Sequence, residues 1–158
     1  MPTKTLTGAA ALLALTLLAT ACSESAKDTH PDQPVTKRKA LFKQFTGALE
    51  PLGLMARERK PYDAAAFKAG TLELQRLSTL PWPHFTADSN YPPTRAKAAV
   101  WEKPAEFKQA QADYAAALAG LAAAAEAGTL QAGRPAVEAV QKACKACHDP
   151  FRSDAPGG

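Results

Sequence analysis

The stretch from Val137 to Phe151 constrains the fold of this chain more than any other part of the sequence. Its apolar and sulfur-bearing side chains recur at steps of three, four, three and four residues, at Val137, Val140, Cys144, Cys147 and Phe151. That spacing follows one face of an α-helix, so the segment is predicted as a helix with both cysteines turned towards the core. Whatever the two thiols bind must then lie inside the fold.

Residues 144–148 within this stretch read C-K-A-C-H. Two such thiols can add across the two vinyl groups of a haem while the adjacent imidazole coordinates the iron. The pattern therefore predicts one covalent haem c per chain, attached at Cys144 and Cys147, with His148 as an axial iron ligand. A thioredoxin-like redox pair, a zinc site and a structural disulfide are the alternatives. A thioredoxin-like pair would normally lie in a strand–helix–strand context. A zinc site would need a fourth ligand, and a disulfide between the two cysteines would close a very small loop and stabilise the fold little.

The composition favours helices, because alanine dominates the apolar residues and isoleucine is absent. Apolar periodicity predicts four helices, at about 41–55, 61–81, 104–127 and 133–151. Pro51 is expected to kink or interrupt the first helix, and the proline-rich segment 81–99 is predicted to be a crossing loop. We therefore predict an all-α fold, an antiparallel up-down four-helix bundle, which builds cofactor sites between facing helices.

The N-terminus predicts export. Residues 1–21 resemble a signal peptide, with one positive charge at Lys4, an apolar run over about 6–19 and small residues before Cys22. The sequence L-A-T-A-C resembles the lipobox of bacterial lipoproteins, so Cys22 is the predicted lipidation site. Its leucine stands four places before the cysteine instead of three, and ordinary signal-peptidase cleavage is the alternative. Residues 22–36 then predict a lipid-anchored flexible tether, 37–154 the bundle and 155–158 a tail, in a periplasmic, membrane-anchored protein.

From about residue 35 to residue 152 the chain resembles cytochrome c′, the class II c-type cytochromes. The resemblance is carried by PYDAAAFKAGTLELQRLSTLPWPHF, by WEKPAEFKQAQADY and by KACKACHDPFR, which lies close to the C-terminus. It implies that Cys144 and Cys147 form the thioethers and that His148 is the only protein ligand of a five-coordinate, high-spin iron.

The resemblance also implies which residues surround the haem. Arg38 matches an arginine that reaches the haem propionates, Phe42 the residue that covers the distal face, and Arg152 a basic residue beside the proximal face. Aromatic positions that help to line the pocket are matched by Trp82, Phe85, Trp101 and Tyr114. The alternatives are plain core positions for the aromatic residues and solvated helix positions for the two arginines. His30 in the tether and His84 in the crossing loop are weaker candidates for the iron, and Met55 is expected to fill core volume.

The function implied by the resemblance is binding of nitric oxide, and more weakly of carbon monoxide, in nitric oxide sequestration or defence. An electron-transfer cytochrome of a respiratory chain, with an unknown redox partner, is the alternative. An enzyme of the peroxidase type is not indicated, because no distal histidine and arginine pair can be assigned. A homodimer is a state to expect in this family. The formal net charge of +4 is too small to indicate a nucleic-acid partner.

Overall fold

The computed structural model describes residues 27–154, which contain five α-helices. The helices are α1 (Pro34–Ala56), α2 (Ala64–Leu77), α3 (Ala99–Glu102), α4 (Pro104–Ala127) and α5 (Leu130–Phe151), and a 3₁₀ turn spans Trp82–His84. The predicted signal peptide, Cys22 and the C-terminal tail 155–158 lie outside the described residues.

The four long helices close into a ring around one core. Helix α1 packs against α2 and α5, and α4 packs against the same two helices, while the short α3 contacts α4 and α5. The predicted all-α, antiparallel four-helix bundle is confirmed. Within residues 27–154 no helix combines the length and the apolarity that crossing a membrane requires.

Local chemistry fixes several helix ends. The Asp63 side chain caps α2 by accepting from the Ala66 N–H at 3.0 Å, and the Thr129 hydroxyl caps α5 by accepting from the Ala132 N–H at 3.3 Å. Prolines occupy the first turns of α1 and α4, where no intrahelical donor is needed. Helix α4 ends at Gly128, whose φ of 65° suits glycine best.

The core is built from side chains that the apolar periodicity places on facing helices. Its fully buried members include Leu52, Met55, Phe67, Leu74, Leu121, Val137 and Val140. Gly70 lets α2 approach α1 closely, because a Cβ atom at this position would lie 2.9 Å from the Leu52 side chain. The expectation that Met55 fills core volume is confirmed, since it is only 1% exposed.

Several helix bounds differ from the sequence prediction. Helix α2 starts at Ala64 and ends at Leu77, and α5 starts at Leu130, three residues before Gly133, because the Thr129 cap sets its beginning. Helix α1 continues through Pro51 without interruption. Its residues on both sides of the proline, Ala48 and Leu52, belong to the same packed core.

The described part of the predicted tether is folded onto the bundle, so the predicted boundary at 36/37 differs from the structure. Helix α1 already starts at Pro34, and Val35 is fully buried. Upstream of it, the Asp28 carboxylate accepts from the Thr36 N–H at 2.7 Å and from the Tyr91 hydroxyl. Composition alone predicted a flexible chain. It could not show the docking, because polar side chains such as Asp28 and His30 bind residues in a loop about 60 positions away along the chain.

Candidate haem-binding site

The two thiols of CKACH lie on the inner side of α5, as predicted. Cys144 and Cys147 are half-buried and are not joined in a disulfide. Cys144 packs against the main core, and Cys147 packs against a second apolar cluster formed by Val100, Phe107 and Phe151. Both thiols therefore face the space between α5 and the rest of the bundle.

Burial keeps both thiols protonated. It raises the pKa of Cys144, and burial together with the neighbouring Cys144 raises the pKa of Cys147 to about 11. A redox-active Cys-x-x-Cys pair needs the opposite, a thiol with a lowered pKa. The geometry thus disfavours the thioredoxin-like alternative. Among residues 27–154 no group of three or more His, Cys, Asp and Glu side chains could hold a metal ion, so CKACH lacks the extra ligands of a closed zinc site.

His148 lies near the C-terminal end of α5 and is exposed in the structure. Partial burial lowers the pKa of its imidazole, and the charges of Arg152 and Arg95 lower it further against an opposing effect of Asp149. The neutral form, which is the form that binds a metal, is therefore favoured. The guanidinium of Arg152 lies within electrostatic reach of His148, although the Arg152 side chain itself is exposed.

A wall of aromatic rings forms around Phe42 of α1. The Phe42 ring lies 5.7 Å from that of Phe45, 5.9 Å from Trp82 and 6.4 Å from Phe85. Phe42 and Phe45 are only half-buried even though they lie on the inward stripe of α1. This wall brings together three of the predicted pocket residues, Phe42, Trp82 and Phe85.

The wall continues through Phe107 of α4 to the end of α5. Phe107 lies 5.1 Å from Phe85, 6.1 Å from Trp82 and 5.2 Å from Phe151 between ring centroids. Trp101 joins it at 6.4 Å from Phe85 and donates from its indole N–H to the Thr86 carbonyl at 2.8 Å. Phe107 was not among the predicted pocket residues. Helical periodicity places it on the inward face of α4 but does not show that the crossing loop packs against it.

Two clefts adjoin the aromatic wall. One, of about 470 Å³, is lined by Trp82, Phe85, Trp101 and Phe107. The other, of about 240 Å³, lies between α4 and α5 beside Cys147. The first has a mainly apolar lining, whereas Cys147 lines only the second.

Tyr114 has a buried hydroxyl without a partner in the described part of the chain. The residue is 6% exposed, and its ring lies 5.8 Å from that of Phe45. Burial, and then the neighbouring Cys144, raises the pKa of the phenol well above its ordinary value. An unsatisfied buried hydroxyl costs about 1–3 kcal/mol, so a group with an acceptor is expected beside it. A haem attached at Cys144 would bring its ring to this region, and the apolar side chains around Tyr114 fit that cofactor, although the thioether edge itself carries no acceptor for the hydroxyl.

The Arg38 side chain is hydrogen-bonded to the crossing loop. Its guanidinium is 3% exposed and donates to the His84 carbonyl at 2.9 Å, to the Ser89 hydroxyl and carbonyl at 2.8 and 3.0 Å, and to the Thr94 hydroxyl. It also lies over the Phe85 ring at 4.7 Å. A solvated helix position, the alternative considered for Arg38, is therefore wrong. Its role towards the haem propionates stays a prediction.

The weaker iron candidates point elsewhere. His30 donates from Nε2 to Asp88 at 3.1 Å and accepts at Nδ1 from the Asp32 N–H at 3.1 Å. His84 belongs to the 3₁₀ turn, and its carbonyl serves Arg38. The Met55 sulfur accepts from the Asp63 N–H at 3.4 Å, at the other end of α1 from Phe42.

The sequence is similar to one known protein family over most of its length. The family model described as Cytochrome C′ matches residues 33–152. The chain is 36% identical over 146 residues to cytochrome c′ from Cereibacter sphaeroides, covering 89% of this chain and 95% of that one. It is 34% identical over 122 residues to cytochrome c′ from Alcaligenes xylosoxydans, covering 77% and 94%. It is also 31% identical over 146 residues to cytochrome c-554 from Cereibacter sphaeroides, covering 89% and 94%.

Solved structures give the same picture. Cytochrome c′ from Rubrivivax gelatinosus superposes with a TM-score of 0.75 at 30% identity, over 80% of this chain and 100% of that one. A variant of cytochrome c prime from Alcaligenes xylosoxidans in complex with nitric oxide gives 0.75 at 32% identity, over 82% and 100%. A carbon monoxide-bound variant of the same protein gives 0.74 at 32% identity, over 81% and 100%.

Proposed function

This chain belongs to the cytochrome c′ family, and we propose that it binds nitric oxide and carbon monoxide on the haem face opposite His148. Proteins of the family bind one covalent haem c. The haem iron supplies the affinity for diatomic gases and the redox chemistry, and the chain decides which ligands reach it.

The proposal is carried by two unlike groups of side chains. Helix α5 bears Cys144 and Cys147 for attachment and the imidazole of His148, whose neutral form is favoured, as a lone-pair donor. Helix α1 and the crossing loop bear the rings around Phe42, which would cover the other haem face. A phenyl ring has no lone pair for iron, so this wall excludes water and leaves room only for small, neutral ligands. Five-coordinate, high-spin iron is the expected resting state.

The gas complexes of the superposed cytochrome c prime structures support this proposal. Nitric oxide sequestration or defence is the physiological role that such a site would serve. We assign no enzymatic step to the chain. Arg38, which lies over the Phe85 ring, donates its hydrogen bonds to Ser89, Thr94 and the His84 carbonyl.

Optical and magnetic spectra of the purified holoprotein test the proposal directly. The ferric and ferrous forms are expected to be high-spin, and titration with nitric oxide or carbon monoxide should change the ferrous spectrum stoichiometrically. Acidified organic solvent should fail to extract the pigment from the native chain. A low-spin ferrous spectrum that does not respond to either gas would contradict the proposal.

An electron-transfer cytochrome is the second candidate, because a covalent haem c also supports one-electron chemistry. This function would need a second, internal iron ligand or an exposed haem edge that meets a redox partner. The same spectra decide between the two, since a methionine-type charge-transfer band would point to low-spin iron. Met55 is a poor source of that ligand, because its buried sulfur already serves Asp63.

We further propose that the chain is exported to the periplasm and held at a membrane by a lipid on Cys22. The small residues before Cys22 and the resemblance to a lipobox support this. A doubly acylated cysteine anchors stably where one acyl chain does not. Mass spectrometry of the mature N-terminus from the native host tests it, and an unmodified terminus at or beyond Cys22 would refute it.

A further inference from the structure

We propose that Arg95 and Lys97, in the crossing loop, are positioning residues for His148. They clamp the end of α5 and thereby set the strength of the bond between the imidazole and the iron. The inference rests on the proposed function in one respect only, the assignment of His148 as iron ligand.

The backbone part of the clamp is a short antiparallel pairing between the crossing loop and the end of α5. Ala96 and Arg152 form an isolated bridge. The Lys97 N–H donates to the Phe151 carbonyl at 2.9 Å, and the Ser153 N–H donates to the Arg95 carbonyl at 2.8 Å. The chain is therefore fixed from the third residue after His148 onward.

The two side chains extend this pairing on both sides. The Lys97 ammonium donates to the Asp149 carbonyl at 2.7 Å, one residue after His148. The Arg95 guanidinium donates to the Ser153 carbonyl from Nε and Nη2, at 3.0 and 2.7 Å, and from Nη2 to the Asp154 carbonyl at 2.9 Å. Four backbone carbonyls after His148, those of Asp149, Phe151, Ser153 and Asp154, thus accept hydrogen bonds from the same loop.

The last turn of α5 needs this support. The final carbonyls of any helix lack intrahelical donors. Here Pro150, two residues after His148, also has no N–H for the Ala146 carbonyl, so the turn that carries the imidazole is one hydrogen bond short. Lys97 and Arg95 supply donors from outside, and their charges also complement the negative end of the helix dipole.

The clamp completes the restraint of His148. The thioether bonds would hold α5 to the haem as far as Cys147, and the clamp holds the chain from Asp149 onward. The backbone that carries the imidazole is then restrained on both sides, which limits how far His148 can move away from the iron. Arg95 is also near enough for its charge to act on His148, after the larger effects of burial and of Arg152.

Resonance Raman spectroscopy of the ferrous holoprotein tests the clamp through the iron–histidine stretch. Lys97→Met keeps the backbone pairing and the side-chain length but removes the donor to Asp149, and the stretch should move to lower frequency. Arg95→Gln should have the same effect and should also lower the midpoint potential, because a cation near the iron is lost. Lys97→Arg should restore the wild-type frequency.

Lys142→Met is the matched control, because this lysine is exposed on the same helix, one and a half turns before His148. It should leave frequency and potential unchanged. Wild-type values for both Lys97→Met and Arg95→Gln, at normal haem content, would overturn the clamp. A six-coordinate, low-spin wild-type protein would instead refute the proposed gas site, and the potential shift of Arg95→Gln would still decide on the clamp.

Discussion

At the scale of one side chain, we expect Phe42 to determine which ligands the proposed site accepts. Its ring is held by contacts with Phe45, Trp82 and Phe85, so it can move aside only by disturbing its neighbours. Phe42→Ala is expected to raise carbon monoxide affinity and to speed its association, since the steric cost of displacing the ring disappears. Carbon monoxide titration and stopped-flow measurements of the ferrous protein check this.

The control for Phe42 is an apolar truncation away from the wall, Leu72→Ala on α2, where the side chain is 55% exposed. It should leave carbon monoxide binding unchanged. Equal or weaker binding in Phe42→Ala would show that the ring does not cover the ligand site. Phe42→Met would then be informative as well, because a thioether at this position should shift the iron towards the low-spin state.

The Tyr114 hydroxyl has no hydrogen-bond partner among residues 27–154, so a bound group would have to supply one. If the bound haem supplies an acceptor, Tyr114→Phe should destabilise the holoprotein by about 1 kcal/mol, the usual value of one buried hydrogen bond. Thermal or denaturant unfolding of the holoprotein measures the change. Tyr62→Phe is a matched control, since Tyr62 also has a buried hydroxyl without a partner but lies against Phe67, before α2.

The two tyrosine variants should respond with opposite signs. Removing the Tyr62 hydroxyl should be neutral or stabilising, because a polar group is taken out of an apolar site. A stabilising Tyr114→Phe variant would mean that the Tyr114 hydroxyl remains without an acceptor when haem is bound.

The sequence predicted the position of some site residues and not the contacts of others, because helical spacing is a local pattern and many contacts are not local. The places of Cys144, Cys147 and Phe42 on inward faces follow from local helical spacing, which three- and four-residue steps encode directly. The partners of Arg38 lie 46 to 56 residues away along the chain, and only the folded loop brings them together. The clamp on α5 is equally non-local, with separations of 52 to 59 residues, so no pattern in the sequence announces it.

At the scale of elements, the crossing loop is the part of the fold that a single side chain organises. Arg38 donates hydrogen bonds to His84, Ser89 and Thr94, which lie in different parts of the loop, and its guanidinium lies over the Phe85 ring. Arg38→Met removes these donors and leaves buried carbonyls and hydroxyls without partners. A loss of about 2–4 kcal/mol in the free energy of unfolding is expected, the range for breaking a buried polar network.

Denaturant unfolding of the holoprotein measures the effect of Arg38→Met. Lys39→Met is the control, because Lys39 is the next residue along the chain and its side chain is exposed. Arg38→Lys should not rescue the loss, since an ammonium cannot serve the two sides of the loop in one plane as the guanidinium fork does. A stability within about 0.5 kcal/mol of wild type, the range of ordinary surface substitutions, would contradict this role of Arg38.

The helices themselves were largely predictable, and the segments between them were not. Apolar periodicity located all four long helices, because each buries one continuous stripe. The short α3 and the 3₁₀ turn at Trp82–His84 carry no such stripe. They form because the crossing loop must follow the aromatic wall, where Trp82 and Trp101 are packed.

For the whole molecule, the docked N-terminal segment changes the expected distance between the domain and a membrane. Composition alone predicts a free tether over residues 23–36. The structure shows residues 28–36 held to the crossing loop through Asp28, Tyr91 and the His30–Asp88 pair. With a lipid on Cys22, only a few residues would separate the bilayer from the loop that bears the aromatic wall.

This docking depends on carboxylates and therefore on pH. Partial burial by itself raises the pKa of Asp28, but hydrogen bonds from Tyr91 and from the Thr36 N–H outweigh it, so the pKa lies below its ordinary value. Hydrogen bonds from Thr86 and His30 likewise lower the pKa of Asp88. A carboxyl with a lowered pKa stabilises the docked state fully above its unfolded pKa, near 4, and loses that contribution as the pH falls through the lowered value.

The Thr36 amide reports on this docking directly, because its N–H donates to Asp28 at 2.7 Å. Its hydrogen exchange in the holoprotein, corrected for the intrinsic dependence on pH, should be protected at pH 6 and should accelerate below about pH 4. Asp28→Ala should remove the protection at pH 6 as well, whereas Asp32→Ala should preserve it, since the Asp32 side chain is exposed and only its backbone joins the segment. Equal protection of Thr36 in wild type and Asp28→Ala would mean that the helix start, and not the docked carboxylate, shields this amide; the segment before α1 would then be free to act as the longer tether that its composition suggests.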